Sequence, residues 1–166
     1  MAGFKVITEG YEESLIGTDT TNHVAAFLSA LDSSGNHTSL PLRLASFTIQ
    51  ADGTLTSTNT NDNMPTVLFA PGVVSASPDR TLIAIDQPGG FQLFHFNGAA
   101  PLTAFTPVIT TSEQIGQFAW DNHSHLYALG DRGTLYVFSI TADGITQSQG
   151  SPYSIPGAQS LIVQPG

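Results

Sequence analysis

Three segments of this chain read alike and sit at nearly even spacing. They are LASFTI (44–49), FQLFHF (91–96) and LYVFSI (135–140). Aligned, they place Phe47, Phe94 and Phe138 in one column, 47 and then 44 residues apart. Ile49, Phe96 and Ile140 fall in a second column two positions later, on the same face of a strand. Each segment runs into a turn: ADG (51–53), NG (97–98) and ADG (142–144). Asp-Gly and Asn-Gly tolerate positive φ and are strong hairpin signals. A self-similar period of 40–50 residues restricts the chain to architectures made of stacked, equivalent units.

The segments upstream of each copy align as well. LIAI (82–85) and LYAL (126–129) occupy one slot, with VAAF (24–27) in the first unit. One strand earlier come residues 67–75 and 116–120, with 14–18 as the weaker counterpart. The turns between these strands, SPDR (77–80) and DNHS (121–124), are rich in Pro, Asp and Asn. The pattern predicts four antiparallel strands per unit, in units spanning 14–62, 65–109 and 114–152. A lone strand at 4–8 and a closing strand at 158–164 remain. Leu135 and Val137 on one strand face, and Tyr136, Phe138 and Ile140 on the other, suit a sheet covered on both sides. The expected fold is all-β: a single domain of about three and a half four-stranded blades of β-propeller type. Three and a half blades do not close a ring. The unpaired edges they leave call for a second copy or another chain, so a homo-oligomer or a second propeller half is the expected partner.

Composition agrees. Charged residues make up 10% of the chain, far below the usual quarter, and Thr, Ser, Gly, Asn and Pro take their place. These residues favour strands and turns over helices. Lys5, Arg43, Arg80 and Arg132 are the only cations beside 13 carboxylates, a formal charge of −9. Such a chain lacks the cationic footprint that nucleic-acid backbones and anionic membranes require. It has no cysteine, which excludes disulfides, thiolate metal sites and cysteine nucleophiles. No apolar run approaches the length of a membrane span, and no apolar signal segment follows Lys5.

SPDRTLIA (77–84) resembles the S-P-D-G-x-x-L-Y-V segment of lactonase-like, YVTN-type seven-bladed β-propellers. HLYAL (125–129), LYVFSI (135–140), DGIT (143–146) and GSPYSIP (150–156) resemble the rest of that family's blade. QSLIVQP (159–165) resembles its closing strand. The likeness covers residues 14–166 and corresponds to the C-terminal half of such a propeller. It departs from the family at the insertion 32–40, at Arg80 in place of Gly, and at DNHS (121–124). The resemblance implies a bacterial, exported protein. It also implies chemistry, where there is any, at the channel mouth, built by loops between second and third strands and between units.

Those loops hold Asp86, Glu113, Asp131 and Arg132. Lactone hydrolysis needs a cation or metal to polarise the carbonyl and a base to activate water. Arg132 with Glu113 or Asp86 would supply these roles. Solvated loop charge accounts for the same residues, and Asp-Arg-Gly (131–133) is a good turn in its own right. His123 and His125 alternate along a strand start, as a metal pair would, but in a repeated turn on the opposite rim. His23 and His37 show no neighbouring ligands. The amide-rich residues 59–63 lack the spacing of a calcium loop. No cofactor or metal site is expected. The reading is a noncatalytic propeller scaffold that self-associates or pairs through exposed edges. The alternative is a sugar-lactone hydrolase of 6-phosphogluconolactonase type, or half of one.

Overall fold

The computed structural model describes residues 11–30, 42–68 and 72–164. The expected strand at 4–8 and the insertion 32–40 lie outside them. Among the described residues the regular structure is all β, arranged as three antiparallel sheets, none of them closed. No helix there is long and apolar enough to cross a membrane.

The first sheet contains β1 (Tyr11–Thr18), β2 (His23–Ala30), β3 (Leu42–Ile49), β4 (Leu55–Thr56) and β5 (Thr66–Val67). The middle sheet contains β6 (Val74–Ala76), β7 (Leu82–Gln87), β8 (Gly90–His95), β9 (Thr103–Ala104) and β10 (Ile109–Thr110). The third contains β11 (Ile115–Trp120), β12 (His125–Gly130), β13 (Thr134–Thr141), β14 (Gly144–Gln147) and β15 (Tyr153–Ser154). All three share one order. Three strands lie side by side in sequence, and the third carries two short strands along its far edge: β4 and β5 on β3, β9 and β10 on β8, β14 and β15 on β13.

Between the two short strands the chain leaves the ladder, and the middle of the third strand is bonded otherwise. Ser46 O accepts from Ser57 Oγ at 2.7 Å and from Asn59 Nδ2 at 2.8 Å. Leu93 N donates to Thr106 Oγ1 at 3.1 Å, and Leu93 O accepts from Phe105 N at 2.9 Å. Val137 N donates to Ser151 Oγ at 2.9 Å, and Val137 O accepts from Ser148 N at 2.8 Å. Ser46, Leu93 and Val137 each precede an aligned phenylalanine. Backbone groups at these positions therefore stay paired although the strand beside them is interrupted.

Two expected strands come out differently. Residues 67–75 are not one strand: Thr66–Val67 completes the far edge of the first sheet, and Val74–Ala76 opens the middle one. The Pro71-Gly72 pair between them is a strong ladder breaker. The first sheet thus extends past residue 62, and the third past 152 to Tyr153–Ser154. Residues 158–164, expected as a closing strand, join no ladder. A side chain takes the place of a strand partner there. Gln117 Nε2 donates to Leu161 O at 2.8 Å and Leu161 N donates to Gln117 Oε1 at 2.7 Å. Gln117 is the residue just past a register slip in β11, between Ile115 and Gln117, where a bulge re-aims side chains.

The chain divides into two compact units. The first comprises Met1–Ala70, Asp79–Thr81 and His95–Ala104; the second comprises Pro71–Pro78, Leu82–Phe94 and Phe105–Gly166. In the first unit Val24, Ala26, Leu28, Ala45, Phe47 and Met64 form the core, with Leu55 against it. In the second, Ala84, Phe91 and Leu93 of the middle sheet pack on Ile115, Phe118, Leu126, Ala128, Tyr136 and Phe138 of the third. Phe91 sits at the centre, fully buried and edge-on to Phe118 at 5.5 Å and to Phe138 at 5.2 Å. Burying such a ring stabilises by about 2–3 kcal/mol, and each aromatic contact adds about 1 kcal/mol. β7 is buried along all six residues, so both of its faces are covered.

Candidate functional site

The four charged residues expected at the loop mouth all belong to the second unit. Asp86 is the last residue but one of the buried strand β7 and is 8% exposed. Its Oδ1 accepts from Val73 N at 2.9 Å and its Oδ2 from Gln114 Nε2 at 2.9 Å. Glu113, also buried, lies next to that glutamine. Its Oε2 accepts the backbone N–H of Arg132, closing the Gly130–Gly133 turn between β12 and β13. Burial pushes the Glu113 carboxyl upward, but the Thr134 side chain, the Arg132 amide, the Asp131 side chain and the Arg132 charge together outweigh it and hold its pKa below the ordinary value. A Cβ at Gly130 would run into the Glu113 side chain, which would have to shift to admit it. Asp131 and Arg132 stand out in solvent, 53% and 79% exposed, and meet only at 3.9 Å.

The structure therefore gathers Asp86, Gln114, Glu113 and the β12–β13 turn into one neighbourhood, with unequal duties. Asp86 and Glu113 are engaged with backbone and amide donors. Asp131 and Arg132 carry the only exposed charges of the four. Beside them a recess of about 200 Å³ is bordered by Gly116, Gln117, Leu129, Gly130, Asp131, Ala158 and Gln159. Backbone and amide groups dominate that border, and Asp131 is its one titratable residue.

A second constellation was not legible as such. In the first and third sheets the turn between the first two strands is led by an aspartate, and in the middle sheet Asp79 stands inside the turn. Asp121 Oδ1 accepts from the N–H groups of His123 and His125, both at 2.8 Å. Its Oδ2 meets His125 Nδ1 at 2.7 Å and accepts from Tyr127 OH at 3.1 Å. Asp19 repeats this. Its Oδ1 accepts from Thr21 N at 2.9 Å and His23 N at 3.0 Å, and its Oδ2 meets His23 Nδ1 at 2.6 Å. In the middle sheet Asp79 accepts from Thr81 N at 3.1 Å and from the Thr81 hydroxyl at 2.8 Å. Burial works against ionised Asp19 and Asp121, yet the hydrogen bonds from His23 and Thr21, and from His125, His123 and Tyr127, hold both carboxyls at about 2.

His23 thus has a close acidic neighbour, contrary to the expectation from sequence, and His125 is paired with Asp121 rather than with His123. The available signal was Asp-x-x-x-His, DTTNH (19–23) and DNHSH (121–125), at one slot of two units. The motif does structural work. Ser124 has φ of +65°, a left-handed conformation that costs a non-glycine residue about 1–2 kcal/mol, and Asp121 bonds the amides on both sides of it. His125 and Ser139 face each other across β12 and β13, as His23 and Thr48 do across β2 and β3.

His37 lies outside the described residues. Among the described residues no group of three His, Asp or Glu side chains is arranged to hold a metal ion. Residues 59–63 form a turn: Thr60 N donates to Asn63 Oδ1, Asn63 Nδ2 donates to Thr58 O, and Asn59 is buried against Ser46. No family model matches the chain, and no curated protein or solved structure matches it either.

Proposed function

We propose that this chain is a noncatalytic scaffold of lactonase-like β-propeller type, its three sheets serving as blades, that self-associates through exposed sheet edge. One observation carries the reading. Three sheets of one strand order, 44–47 residues apart in sequence, are built on open ladders, and none of them closes. An open sheet presents an edge on which another chain can pair.

The use of the carboxylates adds support. A hydrolytic site needs a base whose lone pairs face substrate. Asp86 and Glu113 give theirs to Val73, Gln114 and Arg132 instead. The sugar-lactone hydrolase reading draws on the recess of about 200 Å³ beside Asp131, which has room for a few heavy atoms of a small ligand.

Light scattering with sedimentation velocity tests the scaffold reading. A defined dimer or higher oligomer is expected at micromolar concentration, and a monodisperse monomer across the accessible range refutes it. Simple sugar lactones supply the second arm. Hydrolysis above background that disappears in Arg132→Ala would establish the enzyme reading in its place.

A further inference from the structure

We propose that residues 158–164 are the strand by which one copy of this chain docks on a second copy. The inference rests on the self-association reading and gives it a location. Three observations converge on this segment.

The first is its unfinished strand character. Exposure alternates along it: Leu161 and Val163 are half-buried, while Ile162 and Gln164 are exposed. That is the period of a strand lying on a surface. Yet among the described residues the backbone groups of 159–164 make no hydrogen bonds except the two between Leu161 and the Gln117 side chain. A strand-like segment with open N–H and C=O groups is a template for strand addition.

The second is apolar exposure. Ile162 is 90% exposed, and Tyr153 and Ile155, 45% and 43% exposed, precede it in the same stretch.

The third decides the occupant. From residue 144 to residue 166 the chain carries no charged side chain, and all 13 carboxylates lie before it. Two copies at −9 each repel one another over most of their surfaces. They approach at least cost where charge is absent. A cationic partner would be drawn to the acidic remainder instead, so a neutral apolar stretch fits a like-charged second copy.

The test is sedimentation and light scattering on the full chain, Ile162→Asp and Leu68→Asp. Ile162 is too exposed for its replacement to disturb folding, and Leu68, 65% exposed in the first unit, is the control. The expected result is a wild-type dimer, a dissociation constant raised about tenfold or more by Ile162→Asp, and no change from Leu68→Asp. A wild type that stays monomeric overturns both this inference and the self-association reading. A wild type that associates, with Ile162→Asp associating equally tightly, overturns the location alone. Hydrogen exchange gives an independent check. Amides 160–163 slow on association if the segment docks, and equal rates at low and high concentration refute it.

Discussion

Asp121→Asn isolates what the charge of one turn aspartate contributes. The shape is kept, and Asn Oδ1 still accepts from the amides of His123 and His125. What is lost is a carboxylate on His125 Nδ1 and Tyr127 OH. In the folded chain the Asp121 carboxyl sits at about 2 against an ordinary 3.8, so folding favours the ionised form. A shift of that size corresponds to about 2 kcal/mol. The turn lies at the surface with its aspartate 13% exposed, and solvent screening lowers the expected figure to about 1 kcal/mol. The sign follows from the lowered value. The contribution is complete above pH 3.8, declines as pH falls through that point, and is gone below about 2. Urea unfolding of wild type and Asp121→Asn at neutral pH and at stepped acidic pH reads it directly. The gap between the two proteins should narrow as pH falls. A gap that stays constant with pH, or no gap at neutral pH, would show that the charge is not what holds the turn.

Phe91→Ala removes the ring at the centre of the second unit's core and should destabilise by about 3–5 kcal/mol, measured by denaturant unfolding. A loss under 1 kcal/mol would mean that the two sheets do not pack as described. Gln117→Ala removes both hydrogen bonds to Leu161, each contributing about 1 kcal/mol. Amide exchange at Leu161 should accelerate roughly tenfold while the β12 core amides keep their rates. Equal exchange in both proteins would count against the clamp.

The all-β character and the three antiparallel sheets could be read from spacing. Phe47, Phe94 and Phe138 each fall in the third strand of a sheet and are buried there. Pattern reading works at these positions because an apolar side chain has one good place to go. It failed at 67–75, where an apolar run crosses from one sheet to the next and only the Pro-Gly pair marks the change. It failed at 158–164 because strand-like alternation does not reveal whether a neighbouring strand exists. The candidate site was less legible. Asp86 and Glu113 were found as loop carboxylates, but their engagement by Val73, Gln114 and Arg132 depends on contacts distant in sequence. The Asp-His pairs are local, four residues apart, and were open to recognition.

The interruption along each third strand has a bearing on solubility. A long, continuous, exposed strand edge lets identical molecules stack into fibrils. Here the outermost pieces, except β14, are two residues long, and β14 is four. Between the pieces of each pair the chain turns away and closes the ladder with Ser57 and Asn59, Thr106 or Ser151. An incoming chain therefore meets, on that side of every sheet, only a few consecutive open backbone groups before the register breaks. A protein with this much strand and so few charges is guarded against runaway stacking by hydroxyl and amide side chains set at the same step of each sheet.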